Sequence, residues 1–153
     1  GQSVAWLGDG NNVATSWVEA ASLFGFQLRM ACPHGYAPPS ELLAWARANG
    51  GDIVLTEDVV EAVGQVQTVV TDVWVSMGQQ GGNQQEDLAA YQVNEDVMKQ
   101  AASDAIFMHC LPAKRGLEVS AAVIDGPQSA VFDEAENRLH AQKAILAWCF
   151  AGK

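Results

Sequence analysis

Apolar and polar residues along this chain follow two rhythms, and the switches between them lay out a succession of elements. Ser3 to Leu7 is an apolar run of strand length, and from Asn12 to Phe24 the positions Val13, Trp17, Ala20, Ala21 and Phe24 recur at helical spacing until Gly25 stops the pattern. A second strand is predicted over Phe26 to Ala31, a second helix over Pro39 to Ala48, and a third strand over Asp52 to Thr56, after the turn Asn49-Gly50-Gly51. A short helix over Asp58 to Val63 leads into a fourth strand at Gln67 to Thr71. Gln79 to Asn83 is a polar, low-complexity loop. Helical segments follow at roughly Glu86 to Tyr91 and Glu95 to Ala101, and then a fifth strand at Ala105 to His109. Residues 113 to 130 read as irregular, apart from a turn of helix near Ser120 to Ile124. A long helix over Glu134 to Ala151 places Leu139, Ile145, Leu146 and Cys149 on its apolar side, and Trp6, Trp17 and Trp148 are predicted core residues. There is no internal repeat.

Strands alternating with helices imply right-handed crossovers, so the expected fold is a doubly wound, Rossmann-like α/β domain, a mostly parallel sheet with helices on both faces. Ligands in such sheets sit beyond the carboxyl ends of the strands, where the strand order reverses. If the first strand lies between the second and the fourth, three polar tips converge there: Gly8-Asp9-Gly10-Asn11-Asn12, the run Asp72 to Gly78, and His109-Cys110-Leu111-Pro112.

Composition narrows the field. At 153 residues, 49% of them hydrophobic, the chain suits one globular domain with a core of its own. Eighteen acidic residues against eight basic ones leave a formal charge of -10, which repels phosphate backbones and anionic membrane surfaces, so no nucleic-acid or membrane partner is expected. Cys32, Cys110 and Cys149 are odd in number and lack CxxC spacing, which argues against a disulfide framework and against a zinc site, and fits a reducing cytoplasm. No apolar stretch approaches the ~20 residues that span a bilayer, and no basic leader precedes the first strand. The chain has no initiating Met and enters a strand almost at once, so a domain cut from something longer is expected.

Each tip admits a plain reading beside a chemical one. Gly8 to Asn12 has the look of a dinucleotide turn, but Val13 stands where the third glycine belongs, and Ala31 and Cys32 stand where the ribose-binding acid belongs. It is either a tight turn capped by Asn11 or an anion-binding helix start at which Asn12 both donates and accepts. An amino-acid head group would fit it. Asp72 is an N-cap, a structural turn, or the partner of a cationic ligand. Ser76 and Gly78 are ordinary turn residues or, with Gly81 and Gly82, part of a loop that closes over a ligand. His109 and Cys110 are adjacent and point to opposite sides of a strand, so they do not pair as base and nucleophile. A buried thiol is the plain reading of Cys110. The Leu111-Pro112 bond is a candidate cis peptide that turns the Leu111 carbonyl toward a pocket. Arg138 either pairs with Glu134 on an exposed helix face or turns to the sheet edge, where its fork would meet an oxyanion.

Taken together, GDGNN at 8 to 12, DVWVSMG at 72 to 78, HCLP at 109 to 112 and FDEAENRLH at 132 to 140 resemble the C-terminal, ornithine-binding domain of ornithine carbamoyltransferase. The four motifs occur in order, and the similarity covers essentially the whole chain. The resemblance implies transfer of a carbamoyl group from carbamoyl phosphate to the side-chain amine of L-ornithine, giving L-citrulline and phosphate in arginine biosynthesis, with no metal and no organic cofactor. By position, Asn12, Asp72, Ser76 and Met77 match ornithine contacts. Cys110 and Leu111 match groups beside the reacting amine and carbamoyl group, and Arg138 matches a contact to the carbamoyl oxygen. Cys110, Asp72 and Arg138 are the expected catalytic residues, with a Cys110 thiolate or the phosphate as proton acceptor. The family's phosphate-binding SxRT-type and HPxQ-type motifs are absent from this chain, whose arginines are Arg29, Arg47, Arg115 and Arg138. The expectation is therefore a half enzyme, residues 1 to 153 binding ornithine and the carbamoyl phosphate domain lying outside the chain. The full-length protein is expected to be a homotrimer and the isolated domain a monomer. Two alternatives stand beside it: a complete amino-acid binding module, or a carbamoyltransferase for putrescine, acetylornithine or aspartate. The Ser76-Met77-Gly78 loop disfavours the last group.

Overall fold

The computed structural model describes residues 1–75 and 83–151. Five parallel strands, β1 (Ser3–Leu7), β2 (Gln27–Ala31), β3 (Asp52–Thr56), β4 (Thr68–Thr71) and β5 (Ile106–His109), form one sheet in the order β3-β2-β1-β4-β5. The first strand is central, as the switch-point geometry requires, and the register Leu7↔Thr71 and Thr71↔His109 brings the carboxyl ends of β1, β4 and β5 level.

The inner strands β1 and β4 are buried on both faces, which is why they read as continuous apolar runs, while the edge strands β3 and β5 leave Leu55 and Ile106 exposed. Val4 and Trp6 point to one side, with Leu28 and Met30, and meet α1 (Asn12–Phe24) and α2 (Ser40–Ala48) through Ala14, Val18, Ala21, Leu43 and Ala46. Ala5 and Leu7 point to the other, with Val69 and Phe107, and meet α3 (Val59–Val63), α5 (Glu95–Met98) and α6 (Ala121–Ile124). α1 starts where the Asn11 side chain accepts from Val13 N–H and Ala14 N–H, and stops at Gly25, whose φ of +71° is left-handed.

Departures from expectation cluster after β4. The predicted helix over Glu86 to Tyr91 is α4 (Gln84–Leu88) followed by a 3₁₀ turn at Ala89–Tyr91, and α5 ends at Met98. The final helix, α7 (Val131–Phe150), begins three residues before its predicted start. Its Val131 is buried, and residues 128–130 pair along β5 through Gln128 O to Phe107 N–H and Phe107 O to Ala130 N–H, both 2.8 Å. From Ala135 to its end α7 is exposed, so Trp148, read from the sequence as core, is 64% accessible, and Leu139, Ile145 and Leu146 are likewise in solvent. The apolar side exists, but no described part of this chain covers it. Trp6 is core, whereas Trp17 is half-buried and meets Phe26 edge to face. No helix among the described residues is long and apolar enough to cross a membrane.

Candidate functional site

Three strand tips meet on one carboxylate. Asp72, the first residue past β4, is 9% exposed. Its Oδ2 accepts from the side-chain amide of Asn11, past β1, at 2.9 Å; its Oδ1 accepts from Val73 N–H at 2.7 Å and from the thiol of Cys110, past β5, at 3.3 Å. Residues 61 and 38 positions away in sequence thus become its neighbours. Asn11 does double work, because its carbonyl oxygen caps α1 while its NH₂ reaches Asp72.

The turn carrying Asn11 is fixed by backbone contacts. Gly8 N–H donates to Ala31 O at 3.0 Å, the Trp6 indole donates to Asp9 O at 3.0 Å, and Gly10 N–H donates to Tyr36 O at 2.7 Å. A Cβ at Gly10 would lie 2.4 Å from Pro38 N. The second glycine of GDGNN therefore answers to the 36–38 segment packed against it. Asn12, the first residue of α1, is exposed beside the free N–H groups of the helix start.

Around Asp72 the site is acidic. Asp9, which accepts from Gln84 Nε2 at 3.3 Å, and Glu134, which accepts from His109 N–H at 2.9 Å, are both half-buried. Burial, and then the charge of Asp72, push the Asp9 carboxyl above its usual value. Burial also raises Glu134, against the lowering pull of the His109 contacts. Among the described residues no cationic side chain pairs with Asp9, Asp72 or Glu134. The clustered negative charge would favour a cationic group placed here.

Cys110 is exposed as a residue, yet its sulfur lies against Asp72. Burial of the thiol, the Asp72 charge and the hydrogen bond to Asp72 push its pKa from 9.0 up to about 12. The surroundings of Cys110 thus favour the thiol over the thiolate named among the expected proton acceptors. Alkylation checks this: Cys110 should react with iodoacetamide at pH 8 at least about a hundredfold more slowly than a free thiol, and its rate should keep rising about tenfold per pH unit to pH 11, where a free thiol has already levelled off. Rapid labelling of Cys110 at pH 8 would contradict the geometry.

Asp72, His109 and Cys110 each offer a ligand atom within 4.8 Å of the others. His109 Nδ1, however, already accepts from Leu111 N–H at 2.9 Å, and its Nε2 faces the Glu118 carboxylate at 3.5 Å. A metal would have to displace one of these internal bonds and the proton on Cys110, so an amine is the better match for this donor set.

Of the residues expected in the site, Asp72, Cys110 and Leu111 come together, and Asn12 stands at its β1 side. The Leu111-Pro112 bond is cis. Ser76, Met77 and the glycines of the closing loop lie outside the described residues. Arg138 is not at the sheet edge. It is exposed, one turn beyond Glu134, and it does not pair with Glu134, whose carboxylate is bound to His109 N–H. Sequence reasoning passed over Asn11 as a ligand of Asp72, the acids Asp9 and Glu134 as site walls, and the fully buried Glu118.

Residues 1–149 match the profile of the family described as aspartate/ornithine carbamoyltransferase, Asp/Orn binding domain. An ornithine carbamoyltransferase of Rhizorhabdus wittichii is 62% identical over 148 residues, covering 95% of this chain and 47% of that protein, and one of Agrobacterium fabrum is 55% identical over 150 residues, covering 97% and 49%. The solved ornithine carbamoyltransferase of Pyrococcus furiosus superposes with a TM-score of 0.90 at 46% identity, over 96% of this chain and 49% of that one. The chain spans about half the length of the curated relatives it matches.

Proposed function

Because the chain belongs to the aspartate/ornithine carbamoyltransferase family, we propose that it is the ornithine-binding half of an ornithine carbamoyltransferase, which makes L-citrulline and phosphate from L-ornithine and carbamoyl phosphate in arginine biosynthesis. One observation carries the choice of acceptor: the buried Asp72 carboxylate, without a cationic partner among the described residues and flanked by two further acids. Such a site attracts an ammonium group and repels the side-chain carboxylate of aspartate. Asn12 and the start of α1 suit the α-carboxylate, which putrescine lacks.

The amine of ornithine, with a lysine-like pKa of ~10.4, is neutral in only on the order of one molecule in a thousand at pH 7. Asp72 orients that nitrogen. As it attacks the carbonyl carbon of carbamoyl phosphate, the bond from that carbon to the phosphate oxygen breaks and the amine loses a proton. With Cys110 held as a thiol donating to Asp72, the departing phosphate is the proton's destination. Arg138, carried on the exposed length of α7, would meet the developing oxyanion once the carbamoyl phosphate domain faces this one, an interaction worth about 3 to 4 kcal/mol for a well-placed donor. Ser76 and Met77 complete the amino-acid contacts in this reading. The full-length protein is then a homotrimer. Free thiols at Cys32, Cys110 and Cys149 are in keeping with a cytoplasmic setting.

Calorimetry on this polypeptide tests the reading: L-ornithine should bind, and L-aspartate and putrescine should bind more weakly. Equal affinity for aspartate would sink it. Citrulline should not form from carbamoyl phosphate with this chain alone, and robust turnover would overturn the half-enzyme assignment.

A further inference from the structure

Two fully buried ionisable side chains face each other beneath the site above: His109, whose backbone N–H holds Glu134, and Glu118, which makes no hydrogen bond to the acids of the site among the described residues. Glu118 belongs to the irregular stretch after β5, and its position is over-determined. Its backbone carbonyl accepts from Val93 N–H at 2.9 Å, Ser120 N–H next to it donates to Val93 O at 2.9 Å, and Gln92 Nε2 holds Leu117 O at 2.7 Å. This stapling drives the Glu118 side chain inward, where Oε1 accepts from Lys114 N–H and faces His109 Nε2 at 3.5 Å.

Leu111 has a φ of +55°, a left-handed backbone that is strained for a non-glycine residue and persists only where its surroundings impose it. The imposing bond is local: Leu111 N–H donates to His109 Nδ1 at 2.9 Å. To accept it, Nδ1 must present a lone pair, which puts the ring proton on Nε2, toward Glu118. Had the proton been on Nδ1, two N–H groups would face each other and Leu111 would lose its restraint. Nε2 makes no hydrogen bond, and at 3.5 Å the Glu118 carboxylate acts on it as a buried negative charge, whose field favours the tautomer with the proton on Nε2.

We propose that Glu118 is a positioning residue for the amine site: by fixing the tautomer of His109 it sets the backbone at Leu111, and with it the direction of the Leu111 carbonyl and the seat of the Cys110 thiol on Asp72. Glu118 touches neither Asp72 nor Cys110 and acts wholly through His109. The inference rests on the proposed ornithine site for its functional consequence, but its structural half is independent of any ligand.

Nitrogen-15 spectra of the His109 ring, the Leu111 amide shift and ornithine calorimetry, all on this polypeptide, form the test. In the unsubstituted chain the His109 proton should be on Nε2; a proton on Nδ1 overturns the proposal without any variant being made. Glu118→Gln keeps a partly negative oxygen where Lys114 N–H demands one, so it should hold the tautomer, the Leu111 shift and ornithine affinity near their starting values. Glu118→Ala should give mixed tautomers, a moved Leu111 amide and ornithine binding about tenfold to a hundredfold weaker, the scale of leaving a buried polar group unpartnered. An Ala variant with an unaltered tautomer, whatever its affinity, overturns the mechanism, and so does a Gln variant as impaired as Ala. If the Ala variant does not fold, the unsubstituted spectrum and the Gln variant still decide. If the unsubstituted chain fails to bind ornithine, the assigned function falls, while the tautomer and the Leu111 shift judge Glu118 separately.

Discussion

Asp72→Asn should abolish most ornithine binding while leaving the domain at least as stable as before. In the proposed site the substitution removes the charge that would answer the ammonium of ornithine in a nearly dry setting, worth about 2 to 5 kcal/mol, or roughly 30-fold or more in affinity. The stability expectation runs the other way. Asp9 and Glu134 have carboxyls raised partly by the charge of Asp72. A carboxyl raised in the folded state destabilises the fold at pH values above its ordinary range, because ionisation is easier in the unfolded chain. Removing the Asp72 charge should relax both groups, so the gain should be greatest near pH 7 and should fade as pH falls below about 4, where carboxyls are protonated in both states. Calorimetry with ornithine, together with thermal unfolding at pH 7 and pH 4, separates the two effects. Undiminished binding would remove Asp72 from the site. A large loss of stability at pH 7 would mean that its hydrogen bonds to Asn11, Val73 and Cys110 outweigh the repulsion.

Gly10→Ala should be the most damaging small substitution in the β1 tip. The added methyl would meet Pro38 N at 2.4 Å and Tyr36 O at 2.6 Å, both backbone atoms that cannot swing aside. Overpacking of this kind costs about 1 to 3 kcal/mol or more, and in a domain of this size each kcal/mol is worth roughly 2 to 4 °C in Tm. The Gly10 N–H bond to Tyr36 O would lengthen, the turn would shift, and Asn11 would be drawn off Asp72, so ornithine affinity should fall with Tm. Gly8→Ala is the informative comparison. Gly8 has a φ of +116° but ordinary space, its nearest atom, Thr71 Oγ1, lying 3.7 Å from the added carbon. Its cost should come from backbone strain alone. Equal Tm values for Gly10→Ala and the parent would show that the 36–38 segment yields freely.

The layout of the sheet was legible because each strand and helix carries its own rhythm, and because burial of the inner strands on both faces leaves an unmistakable apolar run. The rhythm of α7 was legible too, but periodicity names the face of a helix and says nothing about what lies over it. Trp148 was misplaced for that reason. At the site, Asp72 and Cys110 stood out as polar residues ending apolar strands. Asn11 gave half a signal: capping accounts for the oxygen of its amide and leaves the nitrogen without a partner, a loose end that only the third dimension ties to Asp72. Glu118 gave none, being a single acid in an irregular stretch where acids are ordinarily solvated. The expected pairing of Arg138 with Glu134 failed because a main-chain N–H at the tip of β5 competes for the same carboxylate, a contact between residues 25 apart that no helical spacing rule contains.

The sheet order also governs how the chain comes together. β1 meets β2 through partners such as Ser3 and Gln27, but it meets β4 through Val4 and Thr68, so the half built from β1 to β3 closes over short loops and the half built from β4 and β5 must be brought in across a much longer one. Long-range parallel pairing is the slow part of forming such a sheet. The bond from Asn11 to Asp72 spans that same seam. If the proposed ornithine site is right, a chain in which only β1 to β3 have paired lacks the Asn11–Asp72 bond, and ornithine added during refolding should favour the state in which the two halves have joined.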